Sequence, residues 1–277
     1  VFLLPKTGDQ VLGELLYRIE EANTAFSAEM IHIDVTRIPE NDPHRIAALL
    51  ATLDPETVDG IAIMAPESPQ VRDAMLRLEE RGIDTLSFIS GQSRTTGGDA
   101  VGIDNRAAGA TAGRLMGRFS GTRSGKVLVI AETMQSRDSL ERRLGFDQVI
   151  NADFPNLQVL PSLETWGNQA RAEKIVQTSF ASHPDIVGIY ILTSEARGPL
   201  QAIATAPHEN GPVTIAHERT PFTEAALISG ELDAVIAQNP GHLVRSAIRI
   251  LKARSDQKEP LASQETIRIE ILLKENT

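Results

Sequence analysis

The 277-residue sequence predicts an α/β protein built as two doubly wound parallel-sheet lobes. Three observations carry the prediction. Short apolar runs rich in Val, Ile and Leu recur about every 25–30 residues, the mark of strands buried on both faces. Stretches with helical spacing separate them, so strand and helix alternate as a parallel sheet requires. A polar, Gly-rich segment interrupts the rhythm and divides the chain into two similar series, in keeping with a length about twice that of a common domain.

Taken in order, Val1–Leu4 reads as the first strand, and Leu12, Leu15, Leu16 and Ile19 form the buried stripe of the first helix. Met30–Val35 is the second predicted strand. Asp42 ahead of Pro43 opens the next helix, a capping carboxylate before proline at the first helical position, and Asp54-Pro55 closes it. Val58–Ala65 is the third strand; Val71, Met75 and Leu78 line a helix closed by Arg81-Gly82, and Thr85–Ile89 is the fourth. Then Ser90–Asp99 (SGQSRTTGGD) breaks the pattern before the short strand Val101–Ile103, and Asp104-Asn105 is a helix N-cap pair at a crossover. The second series comprises Lys126–Ala131, Leu157–Leu160, Ile186–Leu192, Val213–Ala216 and Ala234–Ala237, with Ile267–Leu273 as the last strand. In folds of this kind ligands collect at the carboxyl ends of the strands, where two such lobes would face each other.

Composition excludes several functions. No apolar run approaches the ~18 residues a membrane span needs. A formal charge of -10, from 27 basic and 37 acidic residues, repels phosphate backbones and anionic lipid, so this segment by itself is not a nucleic-acid binder. With zero cysteines there are no disulfides, thiolate nucleophiles or cysteine-held zinc.

Motif chemistry is sparse. Gly121–Lys126 (GTRSGK) lacks the spacing of a phosphate loop, has Val127 where Ser or Thr is needed, and precedes a strand; it reads as a turn. No G-x-G-x-x-G or G-x-S-x-G occurs, and His32, His44, His183, His208, His217 and His242 include no i,i+4 pair that would suggest a metal. Asp104, Glu132, Glu164 and Glu218 fall at strand ends, where each serves equally as a cap or a solvated charge, so the chain is read as a non-enzyme without cofactor or metal. The single tryptophan, Trp166, sits in a polar loop. It suits a stacking wall for the C–H face of a sugar, or an anchor packed on a neighbouring helix.

Four segments carry a family resemblance. Val101–Gly109 (VGIDNRAAG) resembles the V-G-x-D-N-x-x-A-G stretch of the LacI/GalR-type bacterial repressors and the ribose-type periplasmic binding proteins. Ser136–Phe146 (SRDSLERRLGF) is similar to their S-x-x-x-R-x-x-G-F, Ala216–Pro221 (AHERTP) to a strand end carrying an acidic residue, and Gly230–Pro240 (GELDAVIAQNP) to G-x-(L/I)-x-A-x-I-x-Q-x-P. The resemblance implies a periplasmic-binding-protein-like type I fold with three crossovers, near Asp104-Asn105, Gln238 and Gln264-Glu265. Its lobes would be 1–104 plus 239–263 and 105–238 plus 264–277.

Carried over by position, Asp9 and Gln10 would approach a ligand from the first strand–helix loop, and Arg137 and Arg142 from the second lobe. Trp166 would stack, Glu218 would accept hydroxyls and Gln238 would contact from a crossover. For the two arginines the alternative is a surface salt bridge. Ser90-Gly91-Gln92 and Thr193-Ser194-Glu195-Ala196 depart from the pattern, leaving Gln92, Thr193, Ser194 or His217 to compensate; Arg137, Arg142 and Arg197 leave an acidic or phosphorylated sugar open.

Functionally, the resemblance implies the effector-sensing part of a LacI-type transcriptional regulator. Its effector would be a sugar or derivative, and it would act as a cytoplasmic homodimer holding operator DNA through an N-terminal helix-turn-helix domain not contained here. The missing initiator Met at Val1 fits a record that starts inside a longer protein. The rival is a monomeric periplasmic sugar-binding protein of an ABC transporter. In either case Glu218→Ala and Trp166→Ala are expected to weaken binding by at least ~1.5 kcal/mol with the fold intact.

Overall fold

A computed structural model describes residues 1–6, 10–39, 42–89, 100–193, 196–205 and 211–277. Its strands and helices alternate in chain order: β1 (Phe2–Pro5), α1 (Gln10–Phe26), β2 (Val35–Ile38), α2 (Pro43–Ala51), β3 (Gly60–Ile63), α3 (Pro69–Glu80), β4 (Asp84–Phe88) and β5 (Ala100–Val101). There follow α4 (Asn105–Ser120), β6 (Gly125–Ala131), α5 (Arg137–Asp153), β7 (Leu157–Glu164), α6 (Gln169–Ser182), β8 (Ile186–Ile191), α7 (Arg197–Thr205), β9 (Val213–His217), α8 (Pro221–Ser229) and β10 (Ala234–Ala237). The chain ends with α9 (Pro240–Ser255), α10 (Ala262–Glu265) and β11 (Glu270–Leu272).

Two compact units result: Val1–Ile103 with Gln238–Arg268, and Asp104–Ala237 with Ile269–Thr277. The chain therefore passes between units three times, the last time after Arg268, a few residues beyond the Gln264-Glu265 position read from sequence. The first unit holds a parallel sheet in the order β2-β1-β3-β4-β5. Leu3, Ile61 and Ile63 pack there with Ile46 and Leu50 of α2 and Val71 and Leu78 of α3. Ser68 caps α3 through Val71 N–H, and Asp42 caps α2 through Arg45 N–H, with proline next in both.

The second unit has the order β11-β10-β9-β8-β6-β7, parallel except for β11. Leaving β11 aside, both sheets run in the 2-1-3-4-5 order of a doubly wound fold, so each has a switch point where crossovers reverse direction. In the second unit alternate strand residues face opposite layers. Ile189, Ile191 and Ala216 meet α6, α7 and α8 through Val176, Leu200 and Leu227. Tyr190 and His217, one residue out of phase, turn to the other side.

Two predicted strands shift by four residues or more at one end. Met30 is 95% exposed and closes a short 3-10 helix at φ 58, so the second strand begins at Val35 rather than Met30. Its apolar run mimicked a strand because Met30 and the buried Ile33 alternate in an irregular stretch with the exposed His32 and Asp34, which pair with each other at 3.2 Å. Conversely β7 continues past Leu160 to Glu164, passing through Pro161, which an edge strand tolerates.

Candidate ligand-binding site

The second unit gathers a polar cluster where β8 and β9 end. It depends first on how α4 and α5 meet. A Cβ on Gly109 would stand 1.8 Å from the carbonyl oxygen of Arg142, and one on Gly145 would stand 1.9 Å from that of Arg106. Only hydrogen fits at either position, so the two helices touch backbone to backbone. Asn105 lies one turn before Gly109, and Arg142 three residues before Gly145, so the close crossing brings these two side chains to the same place.

Arg142 is 6% exposed and is held on three sides. Its Nε donates to Asn105 Oδ1 at 2.8 Å, Nη1 to the Leu192 carbonyl at 3.1 Å, and Nη2 to Glu218 Oε1 at 3.2 Å. A guanidinium has five N–H donors, so two remain without a partner among the described residues. Glu218 is 5% exposed. Its backbone adopts φ 67, a left-handed conformation that costs a non-glycine residue about 1–2 kcal/mol. The turn is held in place from both directions. Glu218 N–H donates to the Ile236 carbonyl at 2.8 Å, and the Thr223 hydroxyl donates to the Glu218 carbonyl at 2.9 Å, while Thr220 and Pro221 start α8 with a reciprocal cap. Trp166, just past β7, is a second strand-end residue with left-handed backbone, at φ 54.

Beneath the charged pair lies an aromatic stack. Phe146, one turn beyond Arg142 on α5, stacks on Tyr190 with ring centroids 4.4 Å apart, and Tyr190 Oη lies 2.7 Å from His217 Nε2. Both Tyr190 and His217 are fully buried. Burial, reinforced by the positive charge of Arg142, holds the His217 imidazole well below its usual range, so the ring is neutral. Burial likewise pushes the Tyr190 hydroxyl up. His217 Nδ1 is buried with no hydrogen-bond partner among the described residues. If Tyr190 donates to Nε2, only the Nδ1–H is left unsatisfied; the reverse arrangement would strand the tyrosine proton as well, so the first is preferred.

The sequence-predicted residues are distributed unevenly. Arg142 and Glu218 meet directly. Thr193, 9% exposed, follows Leu192, the residue whose carbonyl receives Arg142. Trp166 is 51% exposed and fills no core, while its backbone N–H donates to the Glu132 carbonyl at 2.8 Å. Arg137 Nε pairs with Glu141 of its own helix at 2.6 Å. Arg197 lies over the Phe222 ring, its guanidinium carbon 5.5 Å from the centroid. His217 is spoken for by Tyr190. Gln10, at the start of α1, and Gln238, 4% exposed beside the Asn239 cap of α9, belong to the first unit. Asp9, Gln92 and Ser194 lie outside the described residues.

Sequence reasoning missed Asn105, read as part of a cap pair, and Tyr190. Asp104 alone does the capping, accepting from Ala107 N–H at 2.9 Å. A buried tyrosine in an apolar strand carries no local signal; its partner His217, two strand positions past Ile215, does.

Comparison with known proteins follows the fold. The sequence model of a family described as a periplasmic binding protein domain matches residues 1–259. No curated protein matches the sequence. Among solved structures, an ABC transporter solute-binding protein from Burkholderia graminis in complex with D-arabinose is 22% identical, with a TM-score of 0.86 over 99% of this chain and 95% of that one. An ABC transporter periplasmic solute-binding protein from Actinobacillus succinogenes with bound D-allose gives 17%, 0.87, 99% and 97%. A protein provisionally named a LacI transcriptional regulator, from Bacteroides fragilis, gives 20%, 0.84, 99% and 96%.

Proposed function

The chain belongs to the periplasmic binding protein domain family, and from that premise we propose that it is a receptor for a small sugar or sugar derivative, of the kind that serves an ABC transporter. The observation that carries this reading is the buried Arg142–Glu218 pair at the carboxyl end of β9. A buried ion pair is a poor stability device, because desolvation cancels most of its attraction. As a binding device it makes sense: Glu218 accepts from hydroxyls while Arg142 offers the donors its protein partners leave over, and charge-assisted bonds hold adjacent hydroxyls. A site built so rejects deoxy sugars, whose binding strands its polar groups.

Trp166 supplies a stacking face, and Thr193, Gln10, Asp9 and Gln238 are further contacts on the strength of the family resemblance. Arg137, whose Nε pairs with Glu141, is a further contact on the same ground. The neighbours carrying arabinose and allose support a monosaccharide and favour the receptor over the regulator.

The second reading, a LacI-type effector domain, is favoured by the Bacteroides fragilis neighbour. It requires a homodimer, operator DNA held by a domain outside this sequence, and a cytoplasmic location. Two measurements test the pair of readings. Calorimetry against a panel of aldopentoses and aldohexoses is expected to find one that binds one-to-one, and Glu218→Gln to weaken it at least tenfold. Failure of every sugar, or an indifferent Glu218→Gln, defeats the binding proposal. Sedimentation then separates the readings: a monomer supports the receptor and a stable dimer supports the regulator.

A further inference from the structure

The side chain that meets the backbone-facing edge of Arg142 is Asn105, 37 residues away in sequence and buried with it. Arg142 Nε–H can only donate, so the Asn105 amide is forced to present its oxygen there and its NH2 elsewhere. That NH2 has no partner among the described residues, so the amide is not fixed by any competing bond. Asn105 is also the first residue of α4, directly after Asp104, where the chain has just passed from one compact unit to the other. The Asp104 cap and the Gly109 contact pin that helix end against α5.

From this placement we propose that Asn105 is the positioning residue for Arg142. It occupies Nε, which fixes the plane of the guanidinium so that its two outer nitrogens address Leu192, Glu218 and a ligand together. It thereby ties the recognition arginine to the first passage of the chain between units. The ligand consequence rests on the sugar-receptor reading above; the positioning itself does not.

The experiment has a ligand-free arm and a ligand arm. In protein labelled with nitrogen-15 arginine, the Arg142 Nε–H is expected to exchange slowly with water. Asn105→Ala is expected to speed that exchange at least tenfold, and Asn105→Asp, which keeps an acceptor oxygen at the same reach, to restore slow exchange. Should Asn105→Ala fail to fold, Asn105→Thr, polar but too short, takes its place. Unchanged exchange in the Ala or Thr variant overturns the proposal whether or not any sugar binds. In the ligand arm, Asn105→Ala is expected to weaken sugar binding at least fivefold in the natural protein and less than twofold when Arg142→Lys is already present. Equal losses in both backgrounds mean that Asn105 acts as general scaffold, and they too overturn the proposal. If the natural protein binds no sugar, the receptor reading falls and the exchange arm alone decides on Asn105.

Discussion

Replacing Gly109 by alanine tests the idea that helix contact, rather than the charged residues themselves, builds the binding cluster. The added Cβ would lie 1.8 Å from the Arg142 carbonyl oxygen, whereas a carbon and an oxygen in ordinary contact are about 3.3 Å apart. The obstacle is backbone, so no side chain can swing away; α4 and α5 must part locally by roughly 1.5 Å. Overpacking of that kind costs about 1–3 kcal/mol, here at the upper end. A gap of even 0.5–1 Å along the remaining contact forfeits a quarter to a half of its dispersion energy, adding about 1 kcal/mol. Better helix propensity returns about 1 kcal/mol. The net is a loss of about 3 kcal/mol in the second unit. Gly13 is the internal control: it lies in α1, where an added Cβ meets nothing within 4 Å, so Gly13→Ala is expected to stabilise by about 0.5–1 kcal/mol through propensity alone. Thermal melting followed by circular dichroism distinguishes the two. A Gly109→Ala protein that melts at or above the natural one, or two substitutions of the same sign, refutes the claim that this crossing is closed to a methyl group.

Other substitutions separate charge, strain and proton binding. Glu218→Ala strips Arg142 of its buried counter-charge and is expected to cost about 3 kcal/mol of stability as well as sugar affinity; equal stability in a urea titration counts against a buried pair. Glu218→Gly is expected to be about 1 kcal/mol more stable than Glu218→Ala, reversing the usual order, because glycine relieves φ 67; the same titration checks it. His217 is neutral in the fold, but the unfolded chain protonates it below about pH 6.5, so its contribution is complete above that value. As pH falls further, stability drops by about 1.4 kcal/mol per unit for that one proton, down to the depressed folded value. Unfolding measured at several pH values below 6.5 is expected to show a shallower decline in His217→Gln, and parallel curves contradict it.

How much of this was visible in the residues depends on whether the cause was local. Buried parallel strands write themselves as continuous apolar runs, and the Asp42-Pro43 and Asp104 caps are chemistry confined to three or four residues, so both are legible. Arg137 and Arg142 were both read as approaching the ligand, yet a signal distinguishes them. Five residues turn a helix by about 140°, so the two arginines cannot share a face. Arg142 shares its face with Gly145 and Phe146, the residues that meet α4 and Tyr190, while Arg137 has Glu141 one turn on, a ready-made surface pair. The bond from Arg142 to Asn105 spans two helices and had no local signature. Nor did the left-handed backbone of Glu218, held between its bond to the Ile236 carbonyl on the neighbouring strand and the one it accepts from the Thr223 hydroxyl.

The two helical motifs that suggested a family can now be given a physical cause. Asn105 and Gly109 are four residues apart, and Arg142 and Gly145 three, because each polar residue must stand one turn away from the glycine that lets the helices touch. Neither half works alone. Without the glycines, Asn105 cannot reach Arg142; without Asn105, the guanidinium keeps Leu192 and Glu218 but loses the contact that sets its plane. Glu218 alone would then be a strained, buried carboxylate with a loosely aimed partner. Recognition of a hydroxylated ligand needs the carboxylate charged and the arginine fixed at once, so the glycine spacing belongs to the binding chemistry as much as to the packing.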